Sequence, residues 1–108
     1  MTNLKGKIVF ITGATSGFGK ETAISFAQKG ARLIIAARRK EKLRELASFL
    51  KKNFKSDVLI MPLDVRKSRA VSLAVKKLPA AWKNIDILIN NAGLSRGLDK
   101  LHEASITD

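Results

Sequence analysis

Residues 8–19 read IVFITGATSGFG, an apolar run followed at once by a segment that contains three glycines. The apolar run predicts a buried β-strand, and the glycines stand where that strand must turn sharply into a helix. A residue without Cβ permits positive φ and lets a ligand approach the backbone. The next helix would direct its free N–H groups and its positive dipole end at the same point. The segment therefore predicts a pyrophosphate site, with a tight β–α turn that binds no ligand as the alternative interpretation.

The rest of the chain alternates short apolar runs with segments of helical periodicity. Strands are expected over 8–12, 33–37, 58–61 and 85–89, and helices from 17 to about 29 and from 40 to about 53. A third helix is indicated by apolar residues at helical spacing, and it should end near Pro79; these residues are Val71, Ala74, Val75 and Leu78. Glycine at position 30 is expected to stop the first helix.

Continuous apolar strands that are joined by helices indicate an α/β fold with a parallel sheet buried on both faces. The expected architecture is a Rossmann-type doubly wound parallel sheet with strand order 3-2-1-4, partial and truncated after strand four. Residues 1–108 would form the N-terminal cofactor-binding part of a single domain. Residues 105–108 have the spacing of a helix start with no helix after it, so we expect the natural protein to continue past Asp108. A frayed tail is the alternative.

The chain is strongly basic: 21 Lys and Arg residues against 9 Asp and Glu give a net charge of +12. This excess favours an anionic partner such as a phosphorylated cofactor, nucleic acid or an acidic membrane surface. For most of the lysines, a solvated helix face is the alternative. The sequence contains no cysteine, which excludes a thiolate metal site, and no metal site is expected. No apolar run could span a bilayer and no signal peptide is evident, so a cytoplasmic location and no membrane partner are expected.

Two further segments follow predicted strands at the same edge of the sheet. Asp64-Val65 comes after strand three and Asn90-Asn91-Ala92-Gly93 comes after strand four. Ligands of open α/β sheets bind beyond the carboxyl ends of the strands, where these segments and the glycine segment would meet. In this order and near these spacings, the three motifs resemble those of the classical short-chain dehydrogenase/reductase family. In detail they are similar to the NADP-dependent 3-hydroxy acid (serine-type) dehydrogenases within it.

The resemblance implies a role for each motif. The glycine segment would wrap the adenosine ribose and the pyrophosphate; its residues are Gly13, Ala14, Thr15, Ser16, Gly17, Phe18 and Gly19. Asp64 would accept a hydrogen bond from the adenine amino group, with the Val65 backbone beside it. Asn91, Ala92 and Gly93 would line the ribose side of the cofactor, while Asn90 braces the central strands. A turn carboxylate at Asp64 and turn-forming asparagines are the alternatives.

The end of strand two bears on the choice of cofactor. An NAD site places an acid there to hold the ribose hydroxyls, whereas this chain has Ala37 followed by Arg38 and Arg39. A guanidinium can grip a 2′-phosphate with two charge-assisted bonds, and Ser16 could add a hydroxyl. The sequence thus favours NADP over NAD. The alternative is that both arginines simply begin a solvated helix, although basic residues there oppose the helix dipole.

The resemblance also implies catalysis by a tyrosine, a lysine, a serine and an asparagine that follow strand four. This chain contains no tyrosine, so it holds no catalytic residue for that proton transfer and is expected to be inactive alone. The intact protein would be a homo-oligomeric oxidoreductase that moves a hydride between the nicotinamide and a small polar substrate such as a 3-hydroxy acid. A non-catalytic NADP(H)-binding module is the alternative. Nucleic-acid binding is disfavoured because the interleaved aromatic residues of a stacking surface are missing.

Overall fold

The computed structural model describes residues 3–91. Strands and helices alternate in this order: β1 (Ile8–Thr12), α1 (Gly17–Gln28), β2 (Arg32–Ala37), α2 (Lys40–Phe54), β3 (Val58–Pro62), α3 (Ser68–Lys76), a 3-10 turn (Ala80–Trp82) and β4 (Ile87–Asn90). The elements follow the predicted succession. None of the helices within the described part is both long and apolar enough to cross a bilayer. The expectations for Ala92, Gly93 and the helix start at 105–108 lie outside the described residues.

The described strands form one parallel sheet in the order β3-β2-β1-β4. Strand β1 is central, with Thr12 opposite Ala36 of β2 on one side and opposite Asn90 of β4 on the other. Strand β3 continues the register outward, with Ala37 opposite Pro62. The sheet confirms the predicted order 3-2-1-4, and it brings the carboxyl ends of the four strands to one edge.

Helices α1 and α2 cover one face of the sheet. Alternate residues of the central strands point to this face, including Val9, Ile11, Leu33 and Ile35, each fully buried. The amphipathic stripe of α2 meets them with buried side chains at helical spacing, namely Leu43, Leu46, Ala47 and Leu50. Because each buried aliphatic side chain contributes about 1.5–3 kcal/mol, this face is the main core of the described chain.

The opposite face packs against α3 and the 3-10 turn. The intervening strand residues point here, including Phe10 and Ile34, and they meet buried Leu78 and Trp82. The predicted stripe of α3 does face the sheet, since Val71 and Val75 contact this cluster. None of the residues of α3 itself is fully buried, however, so this cover is thinner than that of α1 and α2.

Strand β4 begins at Ile87, two residues later than the sequence predicts. The apolar run does start at Ile85, but the Ile85 N–H donates to the Lys83 carbonyl in a turn (3.0 Å). Asp86 then bonds to Ile8, the first residue of β1. Its N–H donates to the Ile8 carbonyl (2.8 Å), and its carboxylate accepts from the Ile8 N–H (2.9 Å). Regular pairing of β4 with β1 therefore starts at Ile87, the residue after Asp86.

Candidate functional site

The glycine segment forms the turn between β1 and α1. Gly13 has φ of 62°, in the left-handed region that favours glycine. Ser16 is the N-cap of α1: its hydroxyl accepts from the Gly19 N–H (3.0 Å) and donates to the Gly13 carbonyl (2.9 Å). The Ser16 hydroxyl, for which a contact with the 2′-phosphate is predicted, therefore also caps α1. Sequence reasoning missed this role, although serine directly before a helix is a recognised capping signal.

Gly19 and Gly17 differ in what surrounds them. A Cβ on Gly19 would lie 2.0 Å from the Gly13 carbonyl oxygen, so α1 approaches the turn more closely than any side chain allows. A Cβ on Gly17 would meet no described atom within 4 Å, and this residue does not have positive φ. The first-turn N–H groups of an α-helix have no partner within the helix, and Gly17 begins α1 with its backbone open to solvent. Gly19 is therefore required by packing, whereas Gly17 leaves room for a ligand.

Exposed arginines stand at the start of α2. Ala37 is the last residue of β2, and Arg38 and Arg39 follow it with their side chains exposed. Arg39 is the N-cap of α2, and its side chain makes no capping hydrogen bond. Two exposed arginines therefore adjoin the positive end of the helix, an arrangement that an anion would stabilise.

Asp64 is bound by Arg66, which was not among the predicted site residues. The Asp64 Oδ1 atom accepts from the Arg66 backbone N–H (3.1 Å) and from Arg66 Nε (3.0 Å), and Oδ2 accepts from Nη2 (3.0 Å). Chiefly these bonds, with a smaller contribution from the charge of Arg38, hold the pKa of Asp64 well below its ordinary value. The same ion pair raises the pKa of Arg66. The sequence signal for this ion pair is the spacing, since an arginine two residues after an aspartate can fold back onto its carboxylate within one turn.

The two asparagines at the carboxyl end of β4 differ in their contacts. The Thr12 hydroxyl donates to the Asn90 side-chain oxygen (2.8 Å), which links the ends of the two neighbouring strands as the bracing role required. Asn91 is buried, with 8% of its surface exposed, and its Nδ2 atom has no hydrogen-bond partner among residues 3–91. A buried amide donor without a partner is costly, so a ligand that accepts from it would be favoured.

The turns after the strands adjoin one another. The Ala14 N–H donates to the Ala36 carbonyl (3.2 Å), and the Leu63 N–H donates to the Ala37 carbonyl (2.9 Å). The described members of the candidate set thus share the carboxyl edge of the sheet. Ala14 is buried and Thr15 is half-buried, whereas Phe18 is 63% exposed; Val65 packs its side chain on the α3 face.

A groove lies beside this edge, between α1 and α2. Its volume is about 550 Å³, and it shares only Thr15 and Gly17 with the candidate set. Charged side chains of both helices, two aliphatic residues and the half-exposed ring of Phe49 line the remainder. Thr15 is the one polar member of the candidate set that lines it, so the groove adjoins the candidate site at the start of α1 and does not contain it.

Comparison with known proteins gives one family and close relatives. The family described as short chain dehydrogenase matches residues 7–108. The NADP-dependent 3-hydroxy acid dehydrogenase of Escherichia coli K12 is 46% identical over 101 residues, which are 94% of this chain and 39% of that protein. The enzyme of the same name from Schizosaccharomyces pombe is 41% identical over 109 residues, covering 100% of this chain and 42% of that protein.

A solved structure shows the same architecture. The L-sorbose reductase of Gluconobacter frateurii, complexed with NADPH and L-sorbose, superposes with a TM-score of 0.78 at 37% identity. The match covers 85% of this chain and 35% of the reductase. The chain therefore spans about two fifths or less of the length of these relatives.

Proposed function

Because the chain belongs to the short-chain dehydrogenase family, we propose that it is the NADP(H)-binding portion of an oxidoreductase. The substrate of that oxidoreductase would be an alcohol or carbonyl compound that is small and polar, such as a 3-hydroxy acid. The observation that carries the proposal is that the open backbone at Gly17 and the exposed Arg38 and Arg39 follow neighbouring parallel strands at the same edge of the sheet. The relatives named for NADP dependence and the reductase complexed with NADPH support the same cofactor.

The start of α1 would hold the pyrophosphate. The absence of a Cβ at Gly17 leaves the backbone accessible, and the first-turn N–H groups direct hydrogen-bond donors toward the anion. Ser16 keeps this end of the helix fixed through its bonds to Gly13 and Gly19. Gly13, Ala14, Thr15 and Phe18 complete the turn around the adenosine ribose and the phosphates.

The start of α2 would select the 2′-phosphate. Arg38 and Arg39 are exposed and follow Ala37, so no acidic side chain ends β2 to repel a phosphate. The N-terminus of α2 adds its partial positive charge at the same place. NADP(H) would therefore bind in preference to NAD(H).

The turns after β3 and β4 would hold the nucleoside and the second ribose. Asp64 would accept from the adenine amino group beside the Val65 backbone. The buried Nδ2 donor of Asn91 would gain an acceptor on the cofactor. Ala92 and Gly93, which lie outside the described residues, are proposed for the same wall.

NADP(H) bound at this edge would supply or accept the hydride of the reaction. The chain itself would provide binding and orientation. Because the sequence contains no tyrosine, we propose that these 108 residues alone bind the cofactor and catalyse no turnover. The alternative is a non-catalytic NADP(H)-binding module. An antibody against this chain would discriminate the two: a longer native product supports the oxidoreductase, and a product of this length supports the module.

A binding titration tests the cofactor proposal. We expect Arg38→Gln to weaken NADPH binding about tenfold, because a charge-assisted hydrogen bond to the 2′-phosphate is lost, and to leave NADH binding unchanged. Isothermal calorimetry of both nucleotides measures the two affinities. Arg44→Gln is the matched control, because it removes the same charge from an exposed position further along α2. Equal affinities of the parent chain for NADPH and NADH would refute the proposed selection.

A further inference from the structure

The contact between Arg66 and Asp64 leaves a defined part of the carboxylate open. An ionised carboxylate offers about four acceptor positions, two on each oxygen. Arg66 occupies two on Oδ1, through its backbone N–H and Nε, and one on Oδ2, through Nη2. The remaining position is on Oδ2, and 21% of the Asp64 side chain is exposed. One further donor can therefore reach the carboxylate, and it must come from the side that Arg66 leaves open.

We propose that Arg66 is a positioning residue that fixes Asp64 as an acceptor for a purine 6-amino group, so that the site selects adenine over hypoxanthine. The inference rests on the proposed NADP(H) site and adds a residue and a selectivity to it. A fixed, ionised carboxylate accepts hydrogen bonds and donates none. It pairs with the amino group of adenine and repels the 6-oxo group of hypoxanthine.

The geometry favours arginine for this task over other cations. Nε and Nη2 form two parallel bonds to the two carboxylate oxygens, which fixes the plane of the carboxylate as well as its position. A lysine ammonium would supply a point charge without that plane. The low pKa of Asp64 agrees with a carboxylate that stays ionised. With Arg66 removed, Asp64 could rotate toward solvent, and its preference for an amino donor would weaken.

Direct contact with the cofactor is the competing role for Arg66. Its side chain is 55% exposed, and the bonds to Asp64 use only Nε and Nη2 of the guanidinium group. The Nη1 group could therefore reach a phosphate. A residue that binds the 2′-phosphate would affect the preference for NADPH over NADH, whereas a residue that positions Asp64 affects the preference between purines. The two roles can thus be separated by the choice of nucleotide.

The experiment compares NADPH with its hypoxanthine counterpart by calorimetry. We expect the parent chain to prefer NADPH, and Arg66→Gln to reduce that preference at least about fivefold, as loss of a charge-assisted contact would. Arg66→Lys should fall between the two, because it restores the charge without the planar fork. Arg69→Gln is the matched control: it removes an exposed arginine three residues away and should retain the parent preference.

A double-variant cycle tests whether Arg66 acts through Asp64. Asp64→Asn should abolish the purine preference, because an amide can donate to a 6-oxo group, and adding Arg66→Gln should change it no further. An unchanged preference in both Arg66 variants would overturn the inference alone, as would a loss confined to the preference for NADPH over NADH. If the parent chain bound neither NADPH nor NADH, the proposed function would fail and the inference with it.

Discussion

At the scale of single residues, two glycines of one turn are glycine for different reasons. We expect Gly19→Ala to destabilise the fold by about 3 kcal/mol, because the Cβ would lie 2.0 Å from the Gly13 carbonyl and only the backbone could move away. Urea denaturation followed by the fluorescence of Trp82, the single tryptophan of the sequence, measures the change. A loss below about 0.5 kcal/mol, the range of ordinary surface substitutions, would contradict the close approach of α1 to the turn.

Gly17→Ala is the matched control for Gly19→Ala. Its Cβ would point into open space, so the free energy of unfolding should stay within about 0.5 kcal/mol of the parent value. NADPH binding should nevertheless weaken about tenfold or more, since the added methyl group would occupy the space proposed for the pyrophosphate. The pair therefore separates a glycine that the fold needs from one that the ligand needs. Sequence spacing predicted a glycine turn but could not make this distinction, which depends on how near α1 passes to Gly13.

At the scale of elements, the Arg32 side chain links the start of β2 to the residue before β3 and to the 3-10 turn. Arg32 Nε bonds Asp57 before β3 (3.0 Å), Nη1 donates to the Ala81 carbonyl (2.9 Å), and the guanidinium lies 4.1 Å from the centre of the Trp82 ring. We expect Arg32→Lys to cost about 1 kcal/mol, because the stack and the bond to Ala81 are lost while the charge remains. Urea denaturation checks this value.

Asp57→Asn isolates the ion pair from the rest of this contact. The Asp57 side chain is 61% exposed, so its removal should cost no more than about 0.5 kcal/mol. Both variants should bind NADPH as the parent does, because residue 32 lies at the amino end of β2, opposite the candidate site. A larger effect of Asp57→Asn than of Arg32→Lys would show that the ion pair, not the aromatic contact, stabilises this end of the sheet.

The elements also show what periodicity can and cannot predict. The apolar stripe of α2 predicted where the helix begins and, to within one residue, where it ends. It also predicted which residues are buried, since Leu43, Leu46 and Leu50 all reach the core. The stripe of α3 predicted only which side faces the sheet, since the extent of burial depends on neighbours that a local pattern does not encode. The predicted start of β4 at Ile85 was wrong by two residues, because the contact of Asp86 with Ile8 joins residues that are distant in sequence. The pairing of Asp64 with Arg66 was missed because it depends on the conformation of the turn.

At the scale of the whole molecule, the net charge of +12 should oppose compaction. Raising the ionic strength from about 0.01 M to about 0.15 M shortens the Debye length from about 30 Å to about 8 Å, so repulsion among exposed cations should fall. We expect the melting temperature to rise by at least about 4 °C for each 1 kcal/mol of repulsion removed. Circular dichroism at increasing NaCl concentration measures the rise.

A variant with fewer exposed cations tests the cause of this effect. Lys51→Gln combined with Lys52→Gln removes two exposed charges from the last turn of α2, so its melting temperature should depend less on salt. NADPH binding should weaken with salt in the same range, because screening also reduces the attraction of the phosphates. A melting temperature that is flat or falls with added salt would contradict the repulsion argument. Composition predicted this charge balance. Alternation with right-handed crossovers leaves few arrangements, and the observed order is the one expected of a Rossmann-type sheet.

The position of β1 has a consequence for the time course of biosynthesis. Its partner on one side is β2, the next strand along the chain, but its partner on the other side is β4, and the Thr12–Asn90 bond joins residues 78 positions apart. A ribosome that adds about 5–20 residues per second completes β2 several seconds before β4. Throughout that interval the nascent chain would present one unpaired edge of its most apolar strand. Chaperone capture during translation would then depend on the rate of elongation between codons 37 and 90.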